Sequence, residues 1–284
     1  TTVEGELRIN GNNVLASLEG LETLASIGGS LHLSSNESLM RLQGLNGLTT
    51  VGNDVILSGV PSLTSIDGLE NLTRVGGGVT IVGFDFLTSL SALAGLTELG
   101  GSLAIERNES LTSLTGLERL TTVGADLIIS GNNALTSLTS LGRVHTIGGD
   151  LRISRNESLE TLHGLNAIGT VGGGIDVSGN GALTSLEELG TFTSIGGQLR
   201  VSGCRELRTL GLSSLTVITG GVFVRNNESL ESLDMDALTT VLRDIEILDN
   251  RRLPTCEAEA LLAQLIDFTG SLRIFRNDDD GVCE

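Results

Sequence analysis

The chain is poor in large rings and in proline. Its 284 residues include no tryptophan, no tyrosine, six phenylalanines and two prolines, but 39 glycines. Glycine allows two backbone segments to approach each other closely, whereas bulky side chains keep them apart. The composition therefore predicts a backbone that stacks densely upon itself, with small or aliphatic side chains between its layers.

Positive charge and long apolar runs are also scarce. The 17 basic residues face 35 acidic ones, which gives a net charge of −18. Phosphate groups attract clustered Lys and Arg, so we expect neither a nucleic-acid partner nor binding to an anionic membrane surface. No apolar run is long enough to span a bilayer and no signal peptide is evident, so we expect no direct membrane insertion. Residues 1–3 match the end of a repeat unit, so we expect a preceding segment to have been removed.

What the chain has in abundance is one repeat. Residues 100–123, GGSLAIERNESLTSLTGLERLTTV, recur as near-copies along almost the whole sequence. Aligned on the paired glycines, copies begin at residues 4, 28, 52, 76, 100, 124, 148, 172 and 196. The first eight units hold 24 residues, the units from 196 and 219 each lose one, and diverged copies begin at 242 and 269. A fixed period of this length predicts a solenoid of roughly twelve units.

The pattern inside one unit favours strands over helix. Leu103 and Ile105 alternate with polar residues, as in a half-buried strand. From Leu111 an apolar residue recurs at every third position, a spacing that drifts about 60° per step around an α-helix and so makes no stripe. We therefore predict an all-β fold: a right-handed parallel β-solenoid, or single-stranded β-helix, with about 12 coils of 24 residues over residues 1–250. The Gly-Gly pairs, and the glycine at the eighth position of the unit, are expected at corners that need positive φ.

A column of asparagines supports this prediction. Asparagine occupies the ninth position of most units, where stacked amides can bond to each other and to turn backbone left unpaired at strand ends. We interpret the column as a structural ladder. Its members are Asn12, Asn36, Asn108, Asn132, Asn156, Asn180, Asn227, Asn250 and Asn277.

The repeat breaks after residue 250, and residues 251–284 are predicted to form a C-terminal cap. Pro254 stops the coil, Thr255 is a plausible N-cap, and residues 256–266 read as a helix that would cover the end of the bore. A last strand is expected at about 271–276. Cys256 and Cys283 bracket this segment and are predicted to form a disulfide, which indicates an oxidising, extracytoplasmic compartment. Cys204 occupies the asparagine position and is predicted to be a buried free thiol.

One stretch of the outward strand face loses its charge. We predict a ligand-binding stripe across four coils, because larger exposed apolar patches tend to mark interaction surfaces. Val60 and Phe84 replace the ladder asparagine in the same stretch, so an alternative is that Phe84 and Phe86 fill a cavity there. The predicted binding residues are Ile56, Thr80, Val82, Phe86, Ala104 and Ile128.

No catalytic or metal constellation is visible. His32, His145 and His163 lie in different coils at unlike repeat positions, which favours neither a metal cluster nor a triad. The Gly-Gly pairs lead into strands and not into helices, so no phosphate-binding loop is indicated. We therefore predict no enzyme, no metal and no cofactor.

The unit resembles a known repeat family. Its pattern Leu-x-Ile-x-x-Asn-x-x-Leu-x-x-Leu, seen at residues 103–114, resembles leucine-rich repeats. With Gly-Gly before the strand and Leu-Thr-x-Val after it, the unit looks like the receptor L-domain group, which includes domains of insulin- and EGF-type receptors, fungal cell-wall proteins and secreted or surface proteins of bacteria. The segment from Leu253 to Cys283 is similar to the C-terminal caps of bacterial members. The resemblance implies an extracellular binding or adhesion protein with a β-helix of three short parallel sheets.

The leading functional prediction is a non-catalytic extracellular or cell-surface module that binds a protein or glycan through one solenoid face. We expect a monomer or weak self-association. Growth-factor binding is not implied, because the chain has no cysteine-rich module and a longer stack than the animal receptors. The alternatives are a rigid spacer or self-associating surface protein and, less favoured, a polysaccharide-active β-helix enzyme or an ice-binding protein.

Overall fold

The chain folds as a parallel β-solenoid. The structure is a computed structural model and describes residues 1–283. One sheet of twelve strands runs along the whole molecule, which agrees with the predicted count of about twelve coils. Each strand pairs in register with the equivalent residues of the next coil, so that Leu103 lies beside Leu127 and Leu199 beside Val222. The strands of this long sheet are β2 (Leu7–Asn10), β4 (Leu31–Ser34), β6 (Val55–Ser58), β8 (Val79–Val82), β10 (Leu103–Glu106), β12 (Leu127–Ser130), β14 (Leu151–Ser154), β16 (Ile175–Ser178), β18 (Leu199–Ser202), β20 (Val222–Arg225), β22 (Ile245–Leu248) and β24 (Leu272–Phe275).

A second side of the solenoid is built from two-residue strands. They form a sheet of eight strands and a separate sheet of four, with the break between residues 171 and 194. The short strands are β1 (Thr2–Val3), β3 (Ser26–Ile27), β5 (Thr50–Val51), β7 (Arg74–Val75), β9 (Glu98–Leu99), β11 (Thr122–Val123), β13 (Thr146–Ile147), β15 (Thr170–Val171), β17 (Ser194–Ile195), β19 (Val217–Ile218), β21 (Thr240–Val241) and β23 (Asp267–Phe268).

The third side is made of turns and differs from the three-sheet helix that the resemblance implies. The N–H of Leu117 donates to the carbonyl of Leu114, and the N–H of Leu120 to that of Leu117. Leu117 and Leu120 thus each close a turn with the leucine three residues earlier, which accounts for their three-residue spacing without either a strand or an α-helix. Only isolated bridges join neighbouring coils here, and three 3₁₀ helices lie on this side at Ser91–Leu93, Thr139–Leu141 and Glu187–Leu189.

The predicted glycine positions have two different structural causes. Glycines at the eighth position of the unit do adopt positive φ, for example Gly59 at 57° and Gly131 at 68°. The Gly-Gly pairs do not, and that part of the expectation was wrong. They are required for close approach, because a methyl group on Gly124 would lie 2.2 Å from the carbonyl oxygen of Gly100 in the coil below.

The C-terminal segment continues the solenoid. Helix α1 (Thr255–Gln264) and strand β24 fall within two residues of the predicted bounds, and β24 pairs with β22. The helix takes the place of the leucine turns in the last coil, since the side-chain amide of Gln264 donates to the carbonyls of Met235 and Leu238 in the turn run beneath.

The helix does not cover the end of the bore, which corrects the prediction. Ala258 and Leu261 pack against the core from the side, while the inward-facing position Leu272 of the last strand remains 42% exposed. Ile266, just after the helix, is 79% exposed. The reason is topological: α1 lies between β22 and β23 in the chain, so it forms one side of the last coil and cannot also lie across its end.

Cys256 and Cys283 form the predicted disulfide, with their Cα atoms 6.2 Å apart. Cys204 is a buried free thiol, also as predicted, and burial raises its pKa to about 11.

We expect alkylation to distinguish the buried free thiol from the two disulfide-bonded cysteines. The native, unreduced protein should take up no iodoacetamide at pH 8, because the Cys204 thiolate is both rare and buried. Denaturation without reduction should expose one reactive thiol, and denaturation with reduction three. Intact-mass spectrometry reads the number directly, and labelling of Cys256 or Cys283 before reduction would contradict the disulfide.

Candidate functional site

Four of the six predicted binding residues form one column on the outer face of the long sheet. Ile56, Thr80, Ala104 and Ile128 are in-register neighbours on β6, β8, β10 and β12, and Val82 lies in the adjacent column of that face. We call these five residues the apolar strip. All are half-buried except Ala104, which is 6% exposed. The strip is therefore a partly exposed, largely apolar patch on the outer face of the sheet.

Phe86 does not belong to the strip, so the predicted set is split between two sides of the solenoid. It follows Gly83, where a φ of 76° turns the chain away from the long sheet. Its ring is 59% exposed, whereas Phe84 is fully buried in the bore at the asparagine position. Of the two rings, only Phe84 fills the ladder gap, as the alternative interpretation expected.

The asparagine column forms the predicted ladder. The amide oxygen of Asn132 accepts from the backbone N–H of Asn108 at 3.1 Å and from its side-chain amide at 3.1 Å. The side-chain amide of Asn132 in turn donates to the carbonyl of Ile105 at 2.9 Å. This arrangement repeats wherever asparagines occupy successive coils, and those between residues 36 and 250 are fully buried. The asparagine side chains satisfy the hydrogen-bonding groups of the backbone at this corner, so their amides are not available to a ligand.

A second ladder escaped the sequence analysis. At the third position of the unit, the carboxylate of Asp126 accepts from the N–H of Asp150 at 2.8 Å, and Asp150 accepts from the N–H of Gly174 at 2.7 Å. Asp244 accepts from the N–H of Ser271, and this bond lowers the pKa of Asp244. The recurrence of Asp or Ser at this position was the available signal. The ladder stops where the position is glycine.

A groove opens where the second ladder is interrupted, at the N-terminal ends of strands β14 to β20. We call this cavity of about 440 Å³ the corner groove. Its floor is backbone, supplied by glycines between residues 173 and 221. Its walls are Asp150, Arg152, Asp176, Gln198, Phe223 and Arg243. A wider concavity of about 640 Å³ lies along β7, β9 and β11 and has no aromatic residue in its lining.

One wall of the groove carries an arginine that lies between two aspartates. Arg152 stands between Asp150 and Asp176, with a closest nitrogen–oxygen distance of 4.0 Å to each. These distances are too long for hydrogen bonds. Oδ1 of Asp176 is buried and has no hydrogen-bond partner within residues 1–283. Asp176 thus has one buried oxygen without a hydrogen-bond partner, while its side chain remains 25% exposed beside the 43% exposed side chain of Arg152.

The opposite wall carries a fixed aromatic ring. The Phe223 ring lies 5.8 Å from the guanidinium carbon of Arg200 and 5.4 Å from that of Arg225. Its edge turns back over the groove floor, since a methyl group on Gly221 would lie 2.9 Å from two of its ring atoms. Phe223 stands in the same outward column as the apolar strip.

Within residues 1–283, no group of three or more His, Cys, Asp or Glu side chains could hold a metal ion. None of the helices in that range has the length and apolar character needed to cross a membrane. No protein-family model matches the chain, and none of the curated proteins compared with it is significantly similar to it.

Proposed function

We propose that the protein is a non-catalytic recognition module that acts outside the cytoplasm and binds a protein or glycan on the outer face of the long sheet. The corner groove carries this proposal. It is concave, it has both apolar and polar walls, and its volume lies in the range of small-ligand sites. It is continuous with the apolar strip, because Ile128 is the in-register neighbour of Arg152.

The rigidity of the face supports a binding role. All of its strands except the two at the ends pair with a neighbour on both sides, and the corners are held by side-chain ladders. A face fixed in this way loses little conformational entropy on association. The disulfide supports an extracytoplasmic location. Kinship with the receptor L-domain group is part of the same proposal and rests on the repeat pattern.

The enzymatic alternative has less support from the groove. Glycoside hydrolysis uses two carboxyl groups with separate roles on either side of the scissile bond. Asp150 and Asp176 instead lie on one wall and share Arg152 between them. This arrangement suits the orientation of a ligand better than acid–base chemistry.

A binding panel tests the proposal. The purified protein is presented to immobilised surface glycans and extracellular proteins, beside a strip variant in which Ile56, Val82 and Ile128 are all changed to Asp. The matched control carries Thr64→Asp, Thr112→Asp and Thr136→Asp, three exposed positions on the turn side. We expect the wild type and the control to bind a panel member, and the strip variant to bind it about tenfold more weakly because it places charge on a desolvated face.

Two results would count against this location or this role. Equal loss in the strip and control variants would show that binding does not use the outer face. If neither the wild type nor the variants bind any panel member, a rigid spacer becomes the better description of the protein.

A further inference from the structure

The corner groove has the features of a site for a ligand with several neighbouring hydroxyl groups. A hydroxyl both donates and accepts a hydrogen bond, whereas a carboxylate only accepts and a guanidinium only donates. Asp176 and Arg152 offer these two capacities side by side, and the exposed amide of Gln198 adds one donor and one acceptor function on the other side of the floor. A wall of this kind can form hydrogen bonds to two adjacent hydroxyl groups of one ligand.

Phe223 supplies the complementary apolar surface. A pyranose ring has one face of C–H groups, and such a face packs against apolar carbon surface such as the edge of an aromatic ring. The guanidinium groups of Arg200 and Arg225 lie over the Phe223 ring, and Arg225 is itself paired with Glu246, so the part of the ring that faces the groove is the edge above Gly221. The ring is thus positioned before any ligand arrives, which reduces the entropic cost of binding.

We propose that the corner groove binds a neutral sugar unit of a glycan, with its C–H face on Phe223 and two of its hydroxyls on Asp176 and Arg152. This inference rests on the proposed recognition function and specifies its ligand class. Charge favours a neutral ligand. The lining carries two aspartates, Asp150 and Asp176, and two arginines, Arg152 and Arg243, so neither an acidic nor a cationic group gains a net attraction.

The floor is less suited to an extended peptide. Peptides that add to a sheet need a row of unpaired backbone groups. Here the N–H of Gly174 is held by Asp150, and the N–H of Gly220 donates to the carbonyl of Gly197. The glycine floor provides space and shape, and the side walls provide the specific contacts.

The test is calorimetric titration with neutral hexasaccharides (glucans, mannans, galactans and xylans), with oligogalacturonate and a mixed peptide pool as comparisons. We expect at least one neutral oligosaccharide to bind. Phe223→Leu and Asp176→Ala should each weaken it about tenfold or more, because the first removes the apolar contact and the second removes a hydrogen-bond acceptor. The matched control is Phe275→Leu. Phe275 lies on the outer face of β24 with Arg273 and Arg276 at 5.9 and 6.0 Å from its ring, but outside the groove.

A spectroscopic measurement separates contact from an indirect structural effect. The protein has six phenylalanines and neither tryptophan nor tyrosine, so fluorine-labelled phenylalanine gives a simple NMR spectrum. The Phe223 signal is assigned by its loss in Phe223→Leu. Addition of the bound oligosaccharide should shift this signal and leave that of Phe275 unchanged.

The other outcomes overturn the inference in distinguishable ways. Binding of neutral oligosaccharide that is unchanged in Phe223→Leu and Asp176→Ala would show that the groove is not the site. Binding of only the acidic oligosaccharide, a peptide or a protein would refute the ligand class and leave the recognition function standing. Failure of the whole panel would refute both.

Discussion

Replacement of Asn132 by valine is expected to lower the free energy of unfolding by about 3–5 kcal/mol, since each polar group orphaned in the interior costs about 1–3 kcal/mol. Valine is close to asparagine in size but cannot bond to the corner backbone. The backbone N–H and side-chain amide of Asn108 would lose their acceptor, and the carbonyl of Ile105 would lose its donor. All three groups lie beside a residue with 0% exposure, so water cannot replace the lost bonds.

The chain offers the reverse exchange as a control. Val60 occupies the same position two coils after Asn12, and its side chain gives no oxygen to the N–H of Asn36. Val60→Asn should change the stability by less than about 1 kcal/mol, because the new amide can bond to Asn36 and so offsets the lost apolar burial.

Urea denaturation followed by circular dichroism measures both variants. Hydrogen exchange then tests whether the loss in Asn132→Val is concentrated in the coils next to residue 132, as expected where each coil contacts only its neighbours. If Asn132→Val costs no more than Val60→Asn, the ladder is not a source of stability.

The second large effect is expected from Gly124→Ala, at about 3 kcal/mol of lost stability, the upper part of the range for overpacked sites. The added methyl group would lie 2.2 Å from the carbonyl oxygen of Gly100 and 3.0 Å from that of Leu99. The two coils cannot separate to make room, because the N–H of Gly124 donates to the same Leu99 carbonyl at 2.9 Å.

Gly169→Ala is the matched control for this prediction. A methyl group there would meet nothing closer than the carbonyl oxygen of His145 at 3.8 Å, and Gly169 does not have positive φ. Alanine also restricts the unfolded chain more than glycine, so the stability should be unchanged or slightly higher. Thermal unfolding of both variants gives the two melting temperatures to be compared. Equal melting temperatures would show that close approach at the Gly-Gly corner is not what requires glycine.

The fold was predictable because the same local pattern recurs in every coil. The alternation at Leu103 and Ile105 predicted the strand, and the 24-residue period predicted the register between strands of neighbouring coils. The asparagine column predicted the position of the corner. In a solenoid each coil contacts only its neighbours, so sequence spacing translates directly into spatial neighbourhood. The disulfide was predictable for a related reason: Cys256 and Cys283 lie one coil apart.

The candidate site depended on features that a repeat pattern does not contain. The direction of Phe86 was set by the backbone turn at Gly83, and the exposure of Leu272 by the side that α1 occupies in the last coil.

The corner groove is the clearest example of what only the tertiary structure decided. It exists because Gly174 and Gly221 interrupt a ladder of side chains, while Arg152 and Phe223, three coils apart in the stack, stand on opposite sides of the gap. In the sequence these are unremarkable departures from a consensus. The sequence alone determined the stack, its register and its core, since those follow from interactions between equivalent positions. A concave site arises from unlike positions in several coils, and their shape and charge combine only once the coils are stacked.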